Sequence, residues 1–135
     1  MSDSEAASFV ARRTRFEAHA LEDNELWEDV GCFGWLRGVR DRAIMLELRK
    51  RNGNILAVGY AWLERMEFDP SAGISLHLAG QRIVISGRNL NAQVASAARL
   101  FEGLTRHRVP WVREARRDEL LTASDATCIV ESIVI

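Results

Sequence analysis

Arginine supplies almost all of the positive charge in this chain, and its side chain is well suited to binding anions. Of the 18 basic residues, only Lys50 is a lysine. The planar guanidinium group makes paired hydrogen bonds to phosphates and stacks on aromatic rings. Anion or nucleic-acid binding is therefore one chemistry that the sequence offers, although codon bias in a GC-rich genome accounts for the same enrichment.

Three segments concentrate candidate binding residues. The first is a basic run before and within the first predicted hairpin, where charges on one face would meet phosphates. The second is a strand end that opens a helix, where backbone N–H groups favour an anion. The third flanks a tryptophan with basic residues, a pattern that suits base stacking. The candidates are Arg37, Arg40 and Arg42 in the first segment, Arg88 and Asn89 in the second, and Arg106, Arg108 and Trp111 in the third.

Each segment also has a plainer interpretation. The basic run is equally typical of a solvated surface, because the net charge of the chain is only -1. The corner at Asn89 fits an ordinary capped turn. Cations near Arg108 are expected at the C-terminal end of a helix, with Trp111 buried beside it. Both sets of interpretations stay open at the level of the sequence.

The spacing of histidines, cysteines, serines and acidic residues along the sequence shows no catalytic or metal-binding motif. His19, His77 and His107 lie far apart, and no Ser/His/Asp, Cys/His or paired-carboxylate arrangement is visible. Cys32 and Cys128 belong to neither a C-x-x-C motif nor a zinc-binding spacing. We therefore expect no metal, no cofactor and no enzymatic activity, with both cysteines as thiols in a reducing cytoplasm.

The length of 135 residues predicts one domain spanning 1–135, with residues 1–8 small, polar and disordered. Residues 1–30 carry eight acidic side chains against three arginines, whereas residues 31–60 carry six basic against two acidic. No secretory signal pattern and no membrane-spanning apolar run is present, so a soluble protein is expected.

The elements that must position these residues centre on Ala43 to Leu90, which reads as four consecutive short strands. Clean alternation of apolar and polar residues predicts the first strand over Ala43–Lys50. Asn52-Gly53 predicts a type I′ hairpin turn, and Asp69-Pro70 opens the next strong turn. The last strand is expected to end at Ser86 and to feed directly into a helix.

Two helices and a final strand complete the prediction. Helical periodicity indicates an N-terminal helix over Ala6–Leu26 and a second helix, after the meander, over Asn91–Arg106. Three glycines within residues 31–38 favour an irregular loop. The apolar terminus Cys128–Ile135 must pair with a sheet edge or meet another subunit. The predicted class is α+β, a curved antiparallel meander of four to six strands, with closure into a barrel left open.

Several of these segments also resemble small bacterial domains of uncharacterised function. The resemblance covers roughly half to two-thirds of the chain and implies a shared fold unit without assigning residue roles. It rests on Phe68-Asp69-Pro70-Ser71, Gly73-Ile74, Leu76, Ile83-Val84-Ile85, Gly87-Arg88-Asn89-Leu90 and Val109-Pro110-Trp111-Val112-Arg113-Glu114.

A second, partial resemblance is to Sm-like small barrels. These have an N-terminal helix and a strongly bent meander whose fourth strand ends in a Gly/Asn motif that contacts RNA. Asn52-Gly53 would match the first hairpin turn, and Ser86-Gly87-Arg88-Asn89 the Gly/Asn motif. The chain departs from the pattern at Ser86, where an arginine is usual, and in having a helix where Sm-like barrels have a short turn.

These observations favour a non-enzymatic domain that self-associates, most simply as a dimer formed by edge pairing, or that binds a protein partner. The alternative is a nucleic-acid or anion-binding module of Sm-like type that uses the arginines. An enzyme whose catalytic residues are dispersed along the chain is the third hypothesis.

Overall fold

The computed structural model describes residues 26–95 and 97–135. Within them lie nine strands, two short helices and a 3-10 turn. The strands are β1 (Trp27–Asp29), β2 (Gly34–Leu36), β3 (Met45–Arg49), β4 (Ile55–Gly59), β5 (Arg65–Asp69), β6 (Gly73–Leu78), β7 (Gln81–Arg88), β8 (Trp111–Arg113) and β9 (Ile129–Val134), the helices are α1 (Leu100–Thr105) and α2 (Arg117–Thr122), and the 3-10 turn is Tyr60–Trp62.

The strands of the described residues form three separate sheets, and none of these closes into a barrel. β1 pairs with β2, the order β4-β3-β8 makes a three-stranded sheet, and β5-β6-β7-β9 makes a four-stranded sheet. All pairs are antiparallel except β3 with β8, which is parallel. The α+β class is thus confirmed in its coarse form, as a β-rich chain with antiparallel sheets and two helices.

The expected single meander is divided in two by the turn at Tyr60–Trp62. The Tyr60 side chain is buried and its hydroxyl donates to the Val109 carbonyl at 2.5 Å. Its ring stacks on His107 with centroids 4.4 Å apart. A buried hydroxyl needs an acceptor, so this anchoring bends the chain out of the first sheet before β5 begins.

The first hairpin forms where Asn-Gly predicts it, but with another turn geometry. Gly53 has a φ of 95°, whereas Asn52 has no positive φ. Gly53 N donates to the Lys50 carbonyl at 3.0 Å, and Lys50 N donates to the Asn54 carbonyl at 2.8 Å. This is a three-residue loop ending in a left-handed glycine, not the predicted type I′ turn.

The predicted passage from strand into helix at Ser86 is wrong. β7 continues to Arg88 through a bulge between Ser86 and Gly87, because β9 supplies a partner for its far end. Asn89 then takes a left-handed φ of 58°, a conformation that cannot propagate a helix. No helix N-terminus therefore faces an anion at this corner.

The helix predicted over Asn91–Arg106 begins only at Leu100. Turns precede it, with Ala92 N donating to the Asn89 carbonyl at 3.2 Å. Arg99 precedes the helix without a side-chain cap, and Asn91 Oδ1 instead accepts from Glu102 N at 3.4 Å. Asn91 thus satisfies a free N–H group in the first turn of the helix from nine residues before its start, and the helix does not begin at Asn91.

Other predictions have mixed outcomes. The C-terminal segment pairs with a sheet edge of its own chain, since β9 lies beside β7. The glycine-rich loop over 31–38 is wrong in part, because β1 and β2 form a regular hairpin around Gly31, whose φ is 104°. The predicted helix over Ala6–Leu26, except for Leu26 itself, and the predicted disorder of residues 1–8 lie outside the described residues.

One hydrophobic core joins the two larger sheets. The inner face of the three-stranded sheet contributes Leu46, Leu48 and Val112, and all three are fully buried. α1 closes the core with Leu100 and Leu104. The alternation that predicted the strands thus also selects their inward faces.

Candidate functional site

Arg108 lies at the centre of the loop that carries the first group of predicted binding residues. Its guanidinium donates to the carbonyls of Leu36 (2.6 Å), Gly38 and Asp41 (3.2 Å). It also lies over the Trp35 ring at 5.3 Å. Partial burial, and secondarily repulsion from a neighbouring arginine, lower its pKa. These contacts give Arg108 a structural role in fixing the loop.

The same loop holds three more of the predicted residues. Arg37 Nε donates to the Trp27 carbonyl at 3.3 Å, and Arg42 Nη1 donates to the Asp41 carbonyl at 2.8 Å. Arg40 is exposed. We call residues 37–42, which carry Arg37, Arg40 and Arg42, the arginine loop. Arg108, from the segment between α1 and β8, packs against its inner side.

The remaining predicted residues lie elsewhere. Arg88 Nε is 3.5 Å from Glu131 of β9. The Asn89 amide donates to the carbonyls of Asp125 at 2.7 Å and Thr127 at 2.8 Å. Arg106 is 3.5 Å from Glu102 on α1. Arg88 and Asn89 therefore fasten β7 to the segment leading into β9.

Trp111 is buried, with 2% of its surface exposed. Trp27 meets it edge to face at 5.3 Å between ring centroids, and the Arg49 guanidinium lies 4.7 Å from its ring centroid. Both of these neighbours would have to move before Trp111 could stack on a base.

The outer edge of β9 is occupied by side chains and backbone from other elements. Glu114 accepts from Arg51 N at 2.7 Å and from Ile133 N at 2.7 Å. Ala115 N donates to the Val130 carbonyl at 2.8 Å, and Arg51 Nη2 donates to the Glu131 carbonyl at 2.9 Å. These bonds leave little of this edge for pairing with another chain.

Two further edges are protected in different ways. The outward side chains of β5 are charged along its whole length, namely Arg65, Glu67 and Asp69. β8 is bridged on its far side by Phe33, and Arg113 N donates to the Cys32 carbonyl at 3.0 Å. Charged side chains and covering segments are the usual ways in which proteins block strand edges.

Within residues 26–95 and 97–135, the outer edge of β4 carries no charged side chain and is covered by no other segment. Its sequence is Ile55-Leu56-Ala57-Val58-Gly59, without a charge or a proline. Exposed apolar side chains surround it, with 58% of Ile55, 71% of Trp62 and 82% of Ile44 accessible. We call the set Ile44, Met45, Ile55, Ala57, Gly59 and Trp62 the β4 edge surface.

Backbone direction shows which groups of β4 face outward. Tyr60 N donates to Ile44 O at 2.9 Å, and alternate residues of an antiparallel strand point to opposite sides. The N–H and C=O groups of Leu56 and Val58 therefore face β3. Those of Ile55, Ala57 and Gly59 face away from the sheet.

A second feature is a cavity of about 360 Å³ between the β1–β2 turn and the start of β9. Cys32 and Cys128 both line it. The cysteines are 5% and 6% exposed. The two cysteines could not be paired from their spacing, because the pairing of β9 with β7 and of β8 with Phe33 brings the two segments together.

The wall of this cavity carries an ion pair. Arg113 donates two hydrogen bonds to the Glu119 carboxylate, at 2.9 and 2.8 Å. Those bonds, aided by a hydrogen bond from Arg116 N, lower the pKa of Glu119 to about 2 despite partial burial. Glu119 is thus an anion across the physiological pH range and holds Arg113 in place.

No family model, curated protein or solved structure matches the chain. The geometry itself therefore carries the functional argument. Within the described part of the chain, no three His, Cys, Asp or Glu side chains group as a metal site would need. None of the helices described is both long and apolar enough to cross a membrane.

Proposed function

We propose that the protein is a non-catalytic domain that self-associates as a dimer through the β4 edge surface. The observation that carries this proposal is the contrast between edges. β5 is charged, β8 is bridged and β9 is occupied, whereas β4 is apolar and has no partner among the described residues. An unprotected apolar edge strand is a template for pairing with another strand.

The outward backbone groups of β4 suit a second copy of the same strand. In an antiparallel pair with Ala57 at the two-fold axis, Ile55 lies opposite Gly59 of the partner subunit. All the outward-facing groups then find partners, and about six backbone hydrogen bonds form. The two sheets become one continuous six-stranded sheet, a common form of symmetric interface.

The side chains on the outer face favour self-pairing over pairing with an unrelated strand. The indole of Trp62 lies on Gly59, whose added Cβ would be 2.8 Å from Trp62 Cδ1. The partner subunit's Ile55, placed opposite Gly59, would therefore pack beside Trp62. Two exposed apolar side chains would thus cover each other, once on each side of the two-fold axis.

Light scattering behind a size-exclusion column tests the proposal. The wild-type protein is expected at twice the monomer mass. Ala57→Lys places a charge on the edge at an exposed position and is expected to yield a folded monomer. The matched control is Ala72→Lys, in the exposed turn after β5, which should remain a dimer. A monomeric wild type, or a dimeric Ala57→Lys variant, would refute dimerisation through β4.

The alternative function, nucleic-acid or anion binding by the arginine loop, is tested in the same run. It predicts excess absorbance at 260 nm that high salt removes. Arg40 is one of the exposed residues of that loop, so Arg40→Ala should then weaken binding. Co-purified nucleic acid on a monomer would replace the dimer proposal with this one.

A further inference from the structure

We propose that Cys32 and Cys128 form an oxidisable dithiol, which reacts with small hydroperoxides and closes into an intramolecular disulfide. This site is separate from the β4 edge surface and does not depend on dimerisation. It lies at the cavity between the β1–β2 turn and the start of β9.

The placement of the two cysteines supports bond formation between them. Both side chains line one cavity, and their segments bond to the same stretch of backbone: the Cys32 carbonyl accepts from Arg113 N at 3.0 Å, and the Val130 carbonyl accepts from Ala115 N at 2.8 Å. A disulfide requires the two sulfur atoms to reach a bonded separation of about 2.05 Å. Neither cysteine lies inside a strand, because Cys32 follows the turn at Gly31 and Cys128 precedes β9. Closing the bond therefore requires a movement of these flanking segments and not of a strand.

The cavity gives a small reagent access to the pair. Its volume of about 360 Å³ exceeds what a hydroperoxide occupies. Small side chains line the approach to Cys128, namely those of Ala126 and Thr127. A larger reagent is expected to react more slowly, since both cysteines are almost fully buried.

Within the pair, Cys128 is the attacking residue. The interaction with the neighbouring Cys32 side chain lowers the pKa of Cys128. The same interaction, with burial, raises the pKa of Cys32. A thiolate is the nucleophilic form of cysteine, so Cys128 reacts first and Cys32 resolves the product.

The reaction has two balanced steps. With hydrogen peroxide, the Cys128 thiolate attacks one peroxide oxygen, the O–O bond breaks, and the departing hydroxide takes the proton lost by Cys128 to form water; an alkyl hydroperoxide releases the corresponding alcohol instead. Cys32 then loses its proton and attacks the sulfur of the sulfenic acid. The S–O bond breaks and the hydroxide leaves as a second water. The two thiols are oxidised by two electrons, and the hydroperoxide is reduced.

Intact-mass measurement of the full chain tests the proposal. After treatment with a small excess of hydrogen peroxide and denaturing alkylation, the expected product is lighter than the reduced protein by about 2 Da and takes up no alkylating agent. Dithiothreitol should restore both alkylation sites. Because it needs no substitution, this measurement stands even if a cysteine variant fails to fold.

Two serine variants assign the roles. In Cys32→Ser, oxidation should stop at a sulfenic acid on Cys128 that a dimedone probe traps. In Cys128→Ser, Cys32 should react at least about tenfold more slowly. Wild-type protein that keeps both thiols in excess peroxide, or forms only disulfides between chains, would overturn the proposal, whatever the oligomeric state of the protein.

Discussion

At the scale of single residues, Arg108 and Arg40 show why side-chain roles were hard to read from the sequence. Both belong to basic runs that suggested anion binding. Arg108 donates instead to backbone carbonyls of its own chain, whereas Arg40 is exposed. A guanidinium satisfied by carbonyls looks the same in sequence as one that binds phosphate, because the acceptors come from residues about 70 positions away.

Glu119 gives a prediction at this scale. Its pKa falls to about 2 in the folded protein from an ordinary value of 4.5, mainly through the hydrogen bonds from Arg113. A depressed pKa stabilises the fold above pH 4.5, and that stability is lost as the pH falls toward 2. We expect Glu119→Gln to lower the free energy of unfolding by about 1–2 kcal/mol at pH 7.

Urea unfolding at several pH values measures this effect. The difference between wild type and Glu119→Gln should shrink steadily between pH 4.5 and 2. The exposed Glu64 provides the control, and Glu64→Gln should change stability by less than about 0.5 kcal/mol at pH 7. A difference that persists unchanged at pH 2 would show that the effect is not electrostatic.

At the scale of elements, Gly87 decides whether β9 can pair with β7. A Cβ at this position would collide with the Ile129 carbonyl and lie 3.0 Å from the Val130 Cα. Both obstacles are backbone, so they cannot turn aside as a side chain would. We expect Gly87→Ala to lower the free energy of unfolding by about 2–3 kcal/mol and to loosen β9.

Hydrogen exchange locates that change. Amides of β9 should lose more protection in Gly87→Ala than amides of β6, which lies on the far side of β7. Ser86→Ala is the control, because it puts an alanine at the neighbouring bulge position without adding a Cβ. Equal loss of protection in β6 and β9, or none in either, would argue against a local clash.

The elements also show what could be predicted from the sequence. Alternating side chains located β3, β6 and β7, and turn residues located the hairpins, because both signals are local. The parallel pairing of β3 with β8 and the placement of Cys32 and Cys128 at one cavity were not predictable, since each depends on segments far apart in sequence. The length of α1 was overestimated because amphipathic periodicity does not show that Asn89 ends β7 in a left-handed turn.

At the scale of the whole molecule, Glu114 connects the two larger sheets. One carboxylate oxygen accepts from Arg51 N in the β3–β4 loop, and the other accepts from Ile133 N in β9. The Arg51 side chain adds a bond from Nε to the Ala115 carbonyl at 2.6 Å. A buried carboxylate that joins elements of different sheets should couple their unfolding.

Glu114→Gln tests that coupling with the smallest change of shape. Glutamine keeps one acceptor oxygen but places an NH₂ donor against one of the two backbone N–H groups, which is then buried without a partner. We expect the free energy of unfolding to fall by about 2–3 kcal/mol in a single transition with an unchanged denaturant slope. Glu102→Gln, at an exposed ion pair on α1, should lower the free energy of unfolding by less than about 0.5 kcal/mol.

If Glu114→Gln instead unfolds in two steps, the two sheets unfold separately and the Glu114 carboxylate stabilises only the edge of β9. If its effect matches that of Glu102→Gln, the two hydrogen bonds contribute little to the stability of the folded chain.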